Sequence, residues 1–349
     1  MRIGFTGRVV LAVVVGALAL SGCPTPSGGG GGGGAGFQVD PCVTGTGIAC
    51  DPVFPHQVGL PSGPSNGRLV VFFHGSGASP QAYSALRATL QAAGSTVLEL
   101  RYLGATGTSS ACPWSVVSTD PDCHRKFRGE SVFGEGVADP SGQAYDSPAV
   151  SISGANSVAN RLLRVVDWVA TNSPSLGWSA FQQRDGSGVC TSYSSYGPCD
   201  LDWSKVVLMG HSLGAGIALY LAKFHHVARV GMISGPFDEF YDGGVTTVAP
   251  WITEGGFATP SGEMYGLQHV GENNVPFTAA AWSAVGMAGP AVSVDGASAP
   301  YGGAHQLSTA ITPACPFDSV QKHNSTAQDL CTPGSPPVLG PAWKFLAGS

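Results

Sequence analysis

The chain is poor in charge. Only 11% of its 349 residues are Asp, Glu, Lys or Arg, the net charge is −6, and no cluster of Lys or Arg occurs. Nucleic-acid binding draws its affinity from clustered basic side chains that neutralise phosphates, so nucleic acid is excluded as a partner. Long apolar runs are also missing. A membrane-spanning helix takes about 20 apolar residues, and the run from Val9 to Leu20 has twelve. Metal-site spacing is absent as well: no C-x-x-C and no H-x-x-x-H occurs, which argues against a zinc site. No residue pattern calls for a metal or a cofactor, and no internal repeat is apparent.

What the N-terminus does contain is ordered like an export signal. Arg2 and Arg8 precede the apolar run, and Leu20-Ser21-Gly22-Cys23 closes it with small residues. That ending resembles a bacterial lipoprotein box, which implies cleavage before Cys23 and acylation of its thiol. Glycines 28 to 34 follow without interruption; such a run has no preferred backbone and suits a flexible tether. The expected organisation is a signal peptide over 1–22, a lipidated Cys23 with its tether over 23–40, and one domain over 41–349. The expected location is the cell envelope, with the body held at a membrane by a lipid anchor. Of nine cysteines, setting Cys23 aside leaves an even number in an exported chain, which points to disulfides. Short loop closure favours Cys42 with Cys50, Cys112 with Cys123, Cys190 with Cys199, and Cys315 with Cys331.

From Gln57 onward, strand-like and helix-like segments alternate, which predicts βαβ units around a mostly parallel sheet. Leu69 to Phe73 reads as a buried strand, PQAYSALRATLQAAG as a helix and STVLELRYL as the next strand. Residues 104–150 are rich in Gly, Ser, Pro and Asp, lack a clear period, and read as an insertion over the strand ends. SVANRLLRVVDWVATN has helical period, with Val158, Leu162, Val165 and Val169 on one face and Arg161, Arg164 and Asp167 away from it. Tyr193, Tyr196 and Trp203, around the Cys190 loop, are expected to pack locally.

The most specific signal is Gly210-His211-Ser212-Leu213-Gly214. The apolar run KVVLM leads into it and LGAGIALYLAKFHH leaves it, giving strand, sharp turn and helix. In such a turn the serine backbone is strained, small flanking residues let strand and helix approach, and the hydroxyl is exposed at a strand end. Upstream, RLVVFFHGSGASP ends a strand in a Gly-rich loop. In this order the two segments resemble the α/β-hydrolase superfamily, its lipase and esterase branch in particular, over roughly residues 66–348. The resemblance implies an α/β fold with helices on both faces of a mostly parallel sheet, Ser212 as nucleophile, and an oxyanion hole made by backbone N–H groups of Leu213 and of Ser76 or Gly77.

A serine hydroxyl needs a general base, and the base needs a carboxylate to fix its tautomer. The superfamily order is serine, acid, histidine, so both partners lie after residue 212. Glu272, in HVGENNVP at an expected strand end, is the favoured acid; Asp238, in SGPFDEF, is the alternative. For the base, His323 is favoured because HQLSTAI can form the final strand and leave His323 on a loop clamped by a Cys315–Cys331 bridge. His305, in YGGAHQLST, has the more usual distance from the acid and stays open as the alternative. His269 reads as a core residue, and His74 and His211 as residues that shape the site. The expected function is a serine hydrolase cleaving small-molecule, lipid or polymer esters through an acyl-enzyme. A peptidase or thioesterase of the same fold, and a surface binding protein that keeps the fold without chemistry, are the competing classes.

Overall fold

The computed structural model describes residues 35–242, 245–312, 318–329 and 331–349. The expected signal peptide, Cys23, the glycine run and Cys315 lie outside them. The strands are β1 (Gly36–Val39), β2 (His56–Gly59), β3 (Leu69–Phe73), β4 (Thr96–Leu100), β5 (Val206–His211), β6 (Arg229–Ile233), the hairpin β7 (Glu239–Asp242) and β8 (Val245–Val248), β9 (Met264–His269), β10 (Val292–Ser293) and β11 (Gln306–Thr309). All but the hairpin form one sheet in the order β1-β2-β4-β3-β5-β6-β9-β11-β10. From β4 across to β10 every pairing is parallel; β2 pairs antiparallel with β4 and with β1 at one edge. Residues 36–39, expected in the tether, are therefore part of the sheet: β1 pairs in register with β2, from Gly36 opposite Gly59 to Val39 opposite His56.

The helices are α1 (Ser84–Ala92), α2 (Thr108–Ala111), α3 (Trp114–Val117), α4 (Cys123–Phe133), α5 (Val158–Asn172), α6 (Leu213–Phe224), α7 (Pro250–Thr253), α8 (Val275–Ala284), α9 (Ser319–Ser325) and α10 (Gly340–Ala347). They cover both faces of the sheet. On one side Val70, Phe72, Val97 and Met209 meet Leu86 and Leu90 of α1 and Trp343 and Leu346 of α10. On the other, Val71, Phe73 and Leu208 meet Leu162 and Val166 of α5 and Ile217 and Leu221 of α6. A strand buried on both faces reads as a continuous apolar run, which is why LVVFF shows no alternation. Burying each such side chain fully contributes about 1.5–3 kcal/mol, so the two layers are the main source of stability.

Two local expectations are corrected. The 104–150 segment holds α2, α3 and the eleven-residue α4. Its period was hidden because α4 buries polar side chains, His124, Arg128, Glu130 and Ser131, alongside Phe127 and Val132. Arg161, assigned to the outer face of α5, is 1% exposed. Its guanidinium donates to Asn156 Oδ1 at 2.7 Å and reaches the carbonyls of Asn156, Arg101 and Ala49, so it staples the β1–β2 region to α5. Cys42–Cys50, Cys112–Cys123 and Cys190–Cys199 are bonded as expected. Tyr196 and Trp203 do pack locally: the Tyr196 hydroxyl donates to the Phe133 carbonyl at 2.7 Å, and Trp203 stacks on His225 with centroids 3.9 Å apart. Among the described residues no helix is long and apolar enough to cross a membrane.

Candidate active site

The chain order places the site. After β3 the chain moves outward to β4, then returns to the other side of β3 as β5, so the loops after β3 and β5 diverge from adjacent strand ends. Such a reversal opens a crevice at the carboxyl ends of a parallel sheet. The His74–Gly77 loop leaves β3 there, and Ser212 leaves β5 beside it.

Ser212 sits between β5 and α6 at φ 57° and ψ −118°, a backbone region costly for a residue with a side chain. Its flanks explain why this pentapeptide tolerates so little else. A Cβ on Gly210 would lie 2.1 Å from the Gly214 carbonyl oxygen, and one on Gly214 would lie 2.0 Å from that of Phe73. Both glycines are thus required by backbone contact. Leu213 is the first residue of α6, and the first N–H groups of a helix have no partner in their own helix.

On the β3 side the two named amides differ. The Gly77 N–H donates to the Gly104 carbonyl at 2.9 Å and the Gly75 N–H to the Tyr83 hydroxyl at 2.9 Å. The Gly77 amide is therefore committed to holding its own loop.

The candidate acid and base come together. Glu272 is buried three residues past β9, and its two carboxylate oxygens are divided. Oε1 accepts from the His269 N–H at 2.8 Å and the Ser234 hydroxyl at 2.6 Å, while Oε2 accepts from His323 Nδ1 at 2.7 Å. With Nδ1 committed, Nε2 of His323 is the nitrogen left to exchange a proton. The imidazole of His323, on α9, lies with its centroid 4.6 Å from that of His211, the residue before Ser212. The final long strand is β11, within HQLSTAI, as the favoured reading requires, although His323 sits in helix α9 and not on the loop expected there, and AVSV contributes only the two-residue β10 at the edge.

The two alternatives fall elsewhere. His305 precedes β11 and donates from Nδ1 to the carbonyl of Met264, the first residue of β9, at 2.8 Å, with its ring stacked on Tyr265. Parallel strands put all their carboxyl ends on one side, so His305 is at the opposite end of the sheet from Ser212 and Glu272. Asp238 is fully buried against Arg128, whose Nη2 and Nε donate to its two oxygens at 2.5 and 2.9 Å, and Trp251 Nε1 donates to it at 2.9 Å. It is occupied as a structural counter-ion. Arg128 continues to the Leu213 carbonyl at 2.9 Å, so the pair braces the first turn of α6. Burial also keeps the nearby imidazoles neutral: it lowers His74 to about 4 and His211 well below the ordinary histidine range.

Ser234 and Thr326 went unrecognised in the sequence. Ser234 follows β6 at φ 47°, its hydroxyl 2.9 Å from Thr326 Oγ1, and Thr326 donates to the His323 carbonyl at 2.7 Å. A lone Ser before Gly-Pro and a lone Thr carry no pattern that could have marked them. The grouping of Asp40, Cys42 and Cys50 brings three metal-ligating side chains together among the described residues, but both sulfurs are tied in a disulfide.

A mostly parallel sheet sandwiched by helices, a strained serine turn after β5, Glu272 after β9 and His323 after β11 follow the chain order of the α/β-hydrolase topology. This is the α/β-hydrolase fold. No protein-family model and no curated protein matches the sequence. Among solved structures, the hydrolase fold here is similar to an α/β serine hydrolase homologue from Coxiella burnetii, at 16% identity and TM-score 0.34, covering 75% of this chain and 85% of that one. It is also similar to esterase 2 of Thermogutta terrifontis, at 11% identity and TM-score 0.30 over 68% and 76% of the two chains. A lidless serine hydrolase from Xanthomonas campestris is similar at 14% identity and TM-score 0.29, over 72% and 78%. The fold assignment rests on the topology itself.

Proposed function

We propose that the protein is a serine hydrolase that cleaves carboxylic esters through an acyl-enzyme, exported and held at a membrane by a lipid on Cys23. The observation that carries the reading is the 2.7 Å contact of His323 Nδ1 with buried Glu272, in a histidine packed beside the strained Ser212 elbow. In this reading Ser212 Oγ attacks the ester carbonyl as its proton passes to His323 Nε2, and Glu272 stabilises the imidazolium that forms. The amides of Leu213 and Ser76 hold the oxyanion. His323 then returns the proton to the leaving alcohol, and water repeats the sequence to release the acid.

The groove beside the elbow supports a substrate class. A cavity of about 200 Å³ is lined by apolar side chains such as Leu103, Phe127, Ile152 and Ile217 together with the hydroxyl-bearing Tyr102, Thr106, Ser131 and Ser151, and no charged side chain lines it. It suits an uncharged, largely apolar acyl or alcohol group. Labelling by a fluorophosphonate probe, lost in Ser212→Ala, tests the nucleophile, and p-nitrophenyl esters of increasing chain length test the class. An intact protein that neither labels nor turns over any ester would refute the proposal.

A further inference from the structure

His211 occupies the variable position of the elbow, yet its ring is bonded at both nitrogens inside a buried joint. Nε2 lies 3.1 Å from the His323 carbonyl and Nδ1 3.1 Å from the Tyr83 hydroxyl. Tyr83 and His211 are 0% and 1% exposed. The Tyr83 oxygen also accepts from the Gly75 amide at 2.9 Å and from Gln328 Nε2 at 3.4 Å.

The direction of each bond is fixed by its chemistry. A carbonyl can only accept, so Nε2 of His211 must carry a hydrogen toward His323. Burial keeps the ring neutral, so Nδ1 has none and must accept. Both lone-pair directions of the Tyr83 oxygen are taken by Gly75 and Gln328, which leaves its one hydrogen for Nδ1. Every donor and acceptor is satisfied in a single arrangement, and that arrangement runs from the loop after β3, through α1's leading turn and the elbow, to the α9 segment bearing His323.

We infer that Tyr83 and His211 are positioning residues that hold the oxyanion loop, the nucleophile elbow and the base-bearing helix in mutual register. This rests on the hydrolase reading above for the identity of the reaction. The packing leaves little slack: a Cβ on Gly75 would lie 3.0 Å from His211 Nδ1 and 3.4 Å from the Tyr83 hydroxyl. Neither residue touches the reacting atoms in this scheme. Each acts by keeping the Ser76 amide and the His323 ring where an attacking Ser212 needs them, and small displacements of such groups cost rate more than affinity.

The test has two arms on the full folded domain. In the first, ¹⁵N–¹H correlation of the imidazoles should find His211 in the wild type with hydrogen on Nε2 and none on Nδ1; a hydrogen on Nδ1 would overturn the inference whatever the activity. In the second, Tyr83→Phe should lower kcat on a p-nitrophenyl ester on the order of 10- to 100-fold with KM changed less than about threefold, and the His211 tautomer signal should shift or broaden. A Tyr83→Phe protein with wild-type kcat would also overturn it. Should that variant fail to fold, Gln328→Ala, which removes only the weaker donor to the same oxygen, should give a smaller kcat loss of the same kind. An unreactive wild type would defeat the hydrolase reading instead, while the tautomer arm would still decide the bond arrangement.

Discussion

Two carboxylates after Ser212 fit the sequence pattern for the acid, and Asp238→Asn separates their roles. The side chains of Asp238 and Arg128 are both 0% exposed, and the carboxylate accepts three bonds, two from Arg128 and one from Trp251. The amide keeps the shape and one acceptor oxygen but removes the charge, leaving a guanidinium buried without its counter-ion. Breaking a buried pair this way costs about 3–5 kcal/mol, a large part of a domain stability of about 5–15 kcal/mol. The expected drop in Tm is on the order of 10 °C. Because the same guanidinium holds the Leu213 carbonyl, some activity should also go, but turnover well below the new Tm should persist within about tenfold of the wild type. Glu272→Gln should do the opposite: a small change in Tm, since the amide can still accept from Ser234 and His269, and a kcat loss on the order of 10³-fold or more. Thermal denaturation and ester kinetics on both variants suffice as the assay. An Asp238→Asn protein with wild-type Tm and no activity would show that Asp238 is the acting acid and that the reasoning from burial is wrong.

Ser212→Ala and His323→Ala should each lose on the order of 10³-fold or more in kcat while folding normally, and the double variant should lose no more than either, because a relay acts as a unit; His305→Ala should keep ester hydrolysis, and an inactive His305→Ala with an active His323→Ala would refute the assignment. Cys23→Ser should release the protein from membranes or block its processing, and a mature protein whose mass carries no lipid would refute the anchor. Burial lowers His56 to about 3 and His74 to about 4 from an ordinary 6.5, so the unfolded chain binds more protons than the fold below pH 6.5 and stability should fall as pH drops. Each contributes about 1.4 kcal/mol per pH unit, complete near pH 4 for His74. Glu99, which burial raises from 4.5 to about 8, opposes one of them between pH 4.5 and 6.5. Urea denaturation between pH 7 and 4 measures the slope; His56→Gln should flatten it, and an unchanged slope in that variant would reject the attribution.

By itself the sequence determined the pieces whose constraints are local. Gly210 and Gly214 are glycine because backbone oxygens lie about where a Cβ would go, so the elbow is written in five consecutive residues and marks Ser212 as the candidate nucleophile without a structure. The uninterrupted apolar run Leu69–Phe73 marks a strand covered on both faces, and alternation of such runs with helical periods gives the sheet its parallel character. Three disulfides were legible because each closes a short loop.

Tertiary structure decided everything that depends on residues far apart in the chain. Which of two carboxylates and two histidines meet depends on which ends of β9 and β11 face Ser212, and spacing along the chain is silent about that. The parallel register put Glu272 and His323 at the carboxyl ends of the strands and His305 at the other end. Arg128 paired with Asp238 across 110 residues and holds that carboxylate in a buried ion pair. Helix α4 hid for the same reason: its polar side chains are buried by partners elsewhere in the chain, so its sequence lacks the apolar stripe that a surface helix must show. The satisfied joint of Gly75, Tyr83, His211 and His323 is likewise beyond sequence reading, since a hydrogen-bond network has no period and acquires meaning only when the fold excludes water from it.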